Sequence, residues 1–69
     1  MLTENAVPLG PLRAILIEDQ SLVADGIVSI LRQINGLEVV KVFTSASSAL
    51  ADEATLRSTD LALVDFHLG

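Results

Sequence analysis

The sequence predicts an α/β protein in which strands and helices alternate as β-α-β-α-β around a parallel sheet. Three short apolar runs have the length and the branched side chains of buried strands, and the segments between them carry helical patterns. Both intervening segments are long enough to be helical crossovers, which parallel neighbours require and which are right-handed. With 69 residues, the chain is at most one small domain.

The first strand follows a short N-terminal segment that proline and glycine keep irregular. Two prolines and a glycine between positions 8 and 11 interrupt any regular structure. We therefore expect a flexible leader over residues 1–11 and a folded domain over residues 12–69. The run LRAILI that follows is almost continuously apolar, as in a strand covered on both faces, and it ends abruptly at Glu18 and Asp19.

An amphipathic helix is predicted directly after this strand. Asp19 or Ser21 is a suitable N-cap, and Asn35-Gly36 is a suitable end. Five apolar residues at helical spacing form its predicted buried stripe: Val23, Ile27, Ile30, Leu31 and Ile34.

The rest of the chain repeats this alternation. LEVVKVFT, residues 37–44, is typical of a strand, and Ser45 or Ser47 is a suitable N-cap for a weaker, alanine-rich helix. The Asp52-Glu53 pair is most simply the solvated face of that helix. DLALVDF is the third predicted strand, and it carries Asp65 near its end.

Composition excludes several classes of function. Nine acidic residues against four basic ones give a net charge of −5, and no basic cluster is present to bind a run of phosphates, so we expect no direct contact with nucleic acid. The absence of cysteine excludes disulfides and thiol chemistry. No apolar run has the length of a membrane span, and the N-terminus lacks the early positive charge of a signal peptide. We expect a cytoplasmic protein.

Three carboxylates are candidates for a shared site. Ligands of parallel sheets bind at the carboxyl ends of the strands, where Glu18 and Asp19 follow the first strand and Asp65 ends the third. Two such charges about 4 Å apart repel by roughly 4 kcal/mol at an effective dielectric of 20, so three of them call for a cation. Mg²⁺ prefers oxygen ligands, and a carboxylate beside it can attack phosphorus to form an aspartyl phosphate.

Each of these residues also has a simpler interpretation. An acid between a strand and a helix is most often a helix cap or a solvated strand end, and this applies first to Glu18 and Asp19. Asp65 would be costly if it were buried without a partner, so the simpler interpretation places it at the wet end of its strand. His67 is more often an exposed loop histidine than a ligand.

Three segments together resemble a known family. ILIEDQSLVADGIVSIL, then LEVV, then DLALVDFHLG, are similar to the receiver domain of two-component response regulators, in particular to its NarL/FixJ (LuxR-type) branch, from about residue 13 to residue 69. The resemblance implies that Glu18 and Asp19 hold Mg²⁺, with Asp19 the more direct ligand. It implies that Asp65 accepts phosphate from a histidine kinase, and that the backbone carbonyl of His67 is a further metal ligand.

The resemblance also implies a fold and a biological setting. The fold would be part of a flavodoxin-like (CheY-like) domain with strand order 2-1-3. The chain would be no enzyme but a phosphoacceptor in signal transduction, and in a longer form it would control transcription through a DNA-binding output domain that is not in this segment.

The sequence departs from the family pattern in ways that affect the site. Glu18 stands where aspartate is commoner, and Gly69 stands where proline is frequent. The family's fourth and fifth strands, which supply a Ser or Thr and a Lys to the site, are not within these 69 residues, and Lys41 is no substitute. We therefore expect either a piece of a longer protein or self-association through the edge of strand 61–66.

Other functions remain open. A receiver-like module that dimerises without being phosphorylated would suit an incomplete site. A hydrolase of the haloacid-dehalogenase type would form an aspartyl phosphate too, but its D-x-D pattern is not met because His67 lies two residues after Asp65. A dinucleotide-binding sheet is disfavoured because no glycine-rich turn follows Ile17.

Overall fold

The computed structural model describes residues 10–65, and these residues form three parallel strands and three short helices. In chain order the elements are β1 (Leu12–Ile17), α1 (Ser21–Leu31), β2 (Leu37–Phe43), α2 (Ala46–Ala51), α3 (Glu53–Arg57) and β3 (Leu61–Val64). The sheet order is β2-β1-β3, and both pairings are parallel. The predicted α/β class and the order 2-1-3 of a partial flavodoxin-like fold are confirmed. Most of the predicted leader, residues 1–11, lies outside the described residues.

The core lies on the central strand β1. Ala14, Ile15 and Leu16 are all but inaccessible to solvent, although successive side chains of a strand point to opposite faces. Burial on both faces explains why this run is continuously apolar rather than alternating. On the face that α2 covers, Ile15 packs with Phe43 and Ala49. Three half-buried apolar side chains surround this cluster: Ile17, Val40 and Leu56.

α1 buries a face that differs from the predicted stripe. Ala24 is its most buried residue, and four larger side chains beside it are half-buried: Val23, Ile27, Val28 and Leu31. Ile30 and Ile34 were predicted to be buried, but they are 65% and 49% exposed. The helix ends at Leu31, so Ile34 lies beyond it. Because Ala24 is small, the helix approaches the sheet around that residue, which leaves Ile30 to one side.

The ends of α1 also differ from the prediction. Its N-cap is Gln20, in extended conformation and without a side-chain cap hydrogen bond, rather than Asp19 or Ser21. Its C-cap is Arg32, whose backbone N–H donates to carbonyls of the last turn. Gly36 lies further on, where its φ of 85° turns the chain into β2.

The second predicted helix is divided in two at Asp52. Ser45 caps α2 as predicted, because its side chain accepts a hydrogen bond from the N–H of Ser48. Asp52 has φ −102° and ψ 73°, outside the helical region, and its carboxylate caps α3 by accepting from the N–H of Thr55. Asp52 is therefore a cap between two helices, and not part of a solvated helix face.

The amino ends of β1 and β3 are fastened by Arg13 and Asp60. The backbone N–H of Arg13 donates to Oδ2 of Asp60 at 2.8 Å, and the N–H of Asp60 donates to the carbonyl of Arg13 at 2.7 Å. The guanidinium of Arg13 donates to the carbonyl of Ser58 and lies 3.8 Å from Glu38 of β2. Basic and acidic groups are thus paired at this end of the sheet, whereas the opposite end carries the candidate site.

Within residues 10–65, no helix has both the length and the apolar character that crossing a membrane would require.

Candidate functional site

The residues that follow the three strands lie together at the carboxyl ends of the strands. Because β1 and β3 are parallel and paired up to Ile17 and Val64, the residues that follow, Glu18 and Asp65, leave the sheet side by side. The N–H of Asp65 donates to the carbonyl of Ile17 at 3.1 Å. The N–H of Glu18 donates to the carbonyl of Phe43 at 2.9 Å, so the carboxyl end of β2 lies at the same end of the sheet.

A shallow pocket opens at this end of the sheet, and the three residues with candidate carboxylates all line it. Its wall consists of Ile17, Glu18, Asp19, Thr44, Ala46, Val64 and Asp65. Its volume is about 230 Å³, below the ~300–1,000 Å³ of sites that enclose organic ligands. The pocket therefore has the size for an ion with a small anion rather than for a nucleotide.

Glu18 is the buried member of the three. Only 2% of its surface is exposed, which is unusual for a carboxylate. Its Oε2 accepts a hydrogen bond of 2.9 Å from the N–H of Gln20, the N-cap residue that precedes α1. Glu18 therefore fixes the turn between β1 and α1 and forms part of the pocket wall, but it is neither the helix cap nor the solvated strand end of the simpler interpretation.

Asp19 and Asp65 are exposed, and they lie at the mouth of the pocket. Asp65 directly follows Val64, the last residue of β3, so it lies just outside the apolar strand. The carboxylate of Asp65 therefore avoids the cost of burying a charge in an apolar environment, because it lies at the solvent-exposed end of the strand. Both carboxylates are accessible to a ligand from solvent.

The donor set suits Mg²⁺ with part of its water shell. Carboxylate oxygens are the ligands this ion prefers, and it commonly keeps several waters while binding one or two carboxylates. Among residues 10–65, no three Asp, Glu, His or Cys side chains converge closely enough to enclose a metal by themselves. The predicted ligand at the His67 carbonyl lies outside the described residues. The pocket fits an open, hydrated ion site and not a closed protein cage.

Two pocket residues were not predicted as part of the site. Thr44 follows β2, and Ala46 begins α2. The sequence does carry a signal for Thr44, because it is the last residue of the second strand-like run and β2 neighbours β1. Thr44 is the one neutral polar residue in a lining whose other polar residues are acids.

No cationic side chain lines this pocket, although all four Lys and Arg residues lie in the part of the chain that the structure describes. Lys41 is directed elsewhere: its Nζ lies 2.6 Å from Oδ2 of Asp52 and 5.1 Å from the centre of the Phe43 ring. The expectation that Lys41 does not serve the acidic site agrees with this position.

Comparison with known proteins adds no identification. The chain matches no protein-family model, no curated protein and no solved structure. The candidate site consequently rests on the residues and the geometry described above.

Proposed function

We propose that this chain is a phosphoacceptor of the response-regulator receiver type, with Asp65 as the accepting residue. The observation that carries the proposal is the arrangement of Glu18, Asp19 and Asp65 around one small pocket at the carboxyl edge of a parallel sheet. Carboxylates grouped in this way favour a divalent cation and, through it, a phosphoryl group.

The proposed reaction is a phosphoryl transfer from a phosphohistidine. A carboxylate oxygen of Asp65 bonds to phosphorus while the P–N bond of the donor breaks. The donor imidazole takes the bonding electron pair and leaves neutral when its other nitrogen carries a proton. Asp65 is exposed at the end of β3, so a histidine presented by a kinase can approach it in line. The chain is a stoichiometric acceptor in this reaction and not an enzyme with turnover.

The other acids have distinct proposed roles. Asp19 lies at the pocket mouth and is the direct Mg²⁺ ligand, whereas Glu18 is buried and holds the turn that positions Asp19. Bound Mg²⁺ would supply the positive charge that offsets the phosphoryl oxygens. The buried position of Glu18 favours contact with the ion through water, because its Oε2 already accepts the N–H of Gln20.

The proposed setting is cytoplasmic two-component signalling. A histidine kinase, or another phosphohistidine protein, is the proposed donor, and transcription is the proposed output in a longer form of the protein. Phosphorylation would act by shifting the population of two conformations that an output domain distinguishes. The sequence resemblance implies the kinase and the output, and the pocket geometry additionally supports Asp65 as the acceptor.

Incubation with acetyl phosphate tests the assignment. Intact-protein mass spectrometry should detect one added phosphoryl group only when Mg²⁺ is present, and hydroxylamine should remove it because an acyl phosphate is labile. Asp65→Asn should abolish the adduct, and Asp19→Asn should reduce it strongly. Asp25→Asn is the matched control, because Asp25 is an exposed aspartate on α1 that does not line the pocket. An adduct that persists in Asp65→Asn, or none in the folded wild type, would overturn the proposal.

One observation favours a second candidate, a receiver-like module that associates without phosphorylation. β3 is an edge strand of the sheet in residues 10–65, and its side chains are all apolar. Exposed apolar edges promote pairing with another chain. The absence of an adduct together with stable self-association would favour this candidate.

A further inference from the structure

The turn that leads from α1 into β2 contains an asparagine followed by a glycine. Asn35 and Gly36 are both exposed, and Gly36 has a φ of 85°. Asparagine is among the residues that change covalently with heat and time. The change begins when the next backbone nitrogen attacks the side-chain carbonyl carbon. Because glycine has no Cβ, its nitrogen can approach that carbon with the least hindrance.

The structure leaves both reacting groups of this pair unrestrained. The neighbouring N–H groups are engaged: that of Ile34 donates to the carbonyl of Leu31 at 3.0 Å, and that of Leu37 donates to the carbonyl of Ile34 at 3.3 Å. Among residues 10–65, in contrast, no partner accepts from the N–H of Gly36 or bonds to the side-chain amide of Asn35. A Cβ placed on Gly36 would meet no atom within 4 Å, so the space around the nitrogen is open.

We propose that Asn35 is a site of spontaneous deamidation in the folded protein, through a cyclic imide with the backbone nitrogen of Gly36. The products are aspartate and isoaspartate at residue 35. The reaction takes place within one chain, and water is its only co-reactant. It depends neither on a partner molecule nor on whether Asp65 accepts phosphate.

The reaction consists of a ring closure and a hydrolysis. In the closure, the nitrogen of Gly36 bonds to Cγ of Asn35 while the bond from Cγ to Nδ2 breaks, and ammonia leaves with the proton that the backbone nitrogen gives up. In the hydrolysis, water adds its hydroxyl to one of the two imide carbonyl carbons, the bond from that carbon to nitrogen breaks, and the nitrogen takes the remaining proton. Opening at Cγ gives aspartate. Opening at the backbone carbonyl gives isoaspartate, in which the main chain runs through Cβ and Cγ.

A second pair in the chain shows how the fold selects the reactive site. Asp25-Gly26 could form the same imide by losing water, and its glycine also has open space around it. This pair lies inside α1, where each N–H donates to the carbonyl four residues earlier. The helix therefore engages the nitrogen of Gly26 and fixes its position. The fold protects Asp25-Gly26 and leaves Asn35-Gly36 reactive.

Isoaspartate at residue 35 would disturb the start of the pairing between β1 and β2. The carbonyl of Gly36 accepts the N–H of Leu12 at 2.7 Å, and Leu37 faces Leu12 as the first pair of the register. Isoaspartate adds one carbon to the main chain directly before these groups, so the carbonyl of Gly36 moves relative to Leu12. This end of the sheet should therefore fray, whereas the acidic pocket lies at the opposite end.

Ageing of the folded protein in mildly alkaline buffer, followed by tryptic peptide mapping with mass spectrometry, tests the proposal. Trypsin cleaves after Arg13, Arg32 and Lys41, which places Asn35 on the peptide of residues 33–41. That peptide should gain the mass that corresponds to exchange of an amide NH₂ for a hydroxyl. It should also separate into two products, with isoaspartate in excess of aspartate. An Asn35 that stays intact in the folded protein, whether or not it reacts in urea, would overturn the proposal.

Two controls lie on other peptides of the same digest. Asn5 is followed by alanine rather than glycine, so it should stay largely intact while Asn35 reacts. Asp25-Gly26 should form isoaspartate in urea but not in the folded protein. The variant Gly36→Ala should deamidate about tenfold more slowly than the wild type, because its Cβ hinders the nitrogen. Equal conversion of Asn5 and Asn35, or isomerisation of Asp25 in the folded protein at the rate of Asn35, would contradict the argument.

The variant Asn35→Asp separates the effect of the new charge from that of the longer main chain. It carries the same added negative charge as isoaspartate but no extra backbone carbon. Protein enriched in isoaspartate should therefore unfold at a lower temperature than freshly prepared Asn35→Asp. The amide hydrogen of Leu12 should also exchange faster, because its acceptor carbonyl has moved. Equal protection of Leu12 in both proteins would refute the predicted fraying.

Discussion

Nζ of Lys41 lies 2.6 Å from Oδ2 of Asp52, and this ion pair joins β2 to the junction between α2 and α3. The same carboxylate accepts hydrogen bonds from the hydroxyl and the N–H of Thr55. The hydrogen bond from Lys41, with those from Thr55, lowers the pKa of Asp52 from its ordinary value of 3.8 to about 2. Asp52 therefore stays ionised at pH values below the ordinary aspartate pKa of 3.8.

This pKa predicts how stability depends on pH. Because the folded-state pKa lies below the unfolded value, the stabilisation by Asp52 is fully present above about pH 4 and is lost as the pH falls towards 2. Urea unfolding of the wild type and of Asp52→Asn measures the effect, since asparagine is also a good N-cap. The wild type should be the more stable at pH 6, and the difference should shrink on acidification. Parallel pH curves for the two proteins would contradict the assignment.

Two glycines should respond to alanine with opposite signs. Gly26 lies in the middle of α1 with open space around its missing Cβ, so Gly26→Ala should stabilise the fold by about 1 kcal/mol through helix propensity. Gly36 has equally open surroundings but a φ of 85°, so Gly36→Ala should destabilise the fold by about 1 kcal/mol. Because neither substitution causes a clash, the backbone conformation alone decides the sign. Thermal unfolding of both variants checks it, and equal shifts would refute the explanation.

The central strand should be the least tolerant part of the sheet. Ile15 is 1% exposed and belongs to the cluster with Phe43 and Ala49, so Ile15→Ala should cost about 2–5 kcal/mol. Small domains have stabilities of only about 5–15 kcal/mol, so this variant should be partly or wholly unfolded at 37 °C. Leu22→Ala is the control, because Leu22 is 85% exposed and its loss should change stability by less than about 0.5 kcal/mol. Similar unfolding midpoints for the two variants would contradict the described core.

The strands and their order were predictable from the sequence because a strand that is buried on both faces consists of a continuous run of apolar residues. A central parallel strand is covered on both faces, and the four residues from Ala14 to Ile17 are all apolar for that reason. The position of the acids was predictable on the same basis, because carboxylates that follow apolar runs must lie at strand ends. Because β1 and β3 pair in parallel, Glu18 and Asp65 then lie at the same end of the sheet.

The helices were less predictable, since short helices depend on tertiary contacts. At the division, Asp52 pairs with Lys41, which lies 11 residues earlier on β2, and no local pattern indicates that contact. The exposure of Ile30 reflects the face that α1 turns to the sheet, on which Ala24 is the most buried residue. Thr44 was missed as a pocket residue because only its position at the end of the second strand-like run indicated it, and a neutral hydroxyl does not by itself point to an ion site.

The central proposal is that the pocket lined by Glu18, Asp19 and Asp65 binds one divalent cation, with Asp19 as its direct ligand and Glu18 in contact through water. Mn²⁺ can replace Mg²⁺ at such oxygen sites, and it broadens the amide NMR signals of nearby residues. A titration with Mn²⁺ should broaden the signals of Glu18, Asp19 and Asp65 first and saturably, should leave Arg13 at the opposite end of the sheet sharp, and should be weakened by Asp19→Asn. Broadening that is strongest elsewhere, or that is unchanged in Asp19→Asn, would contradict the claim.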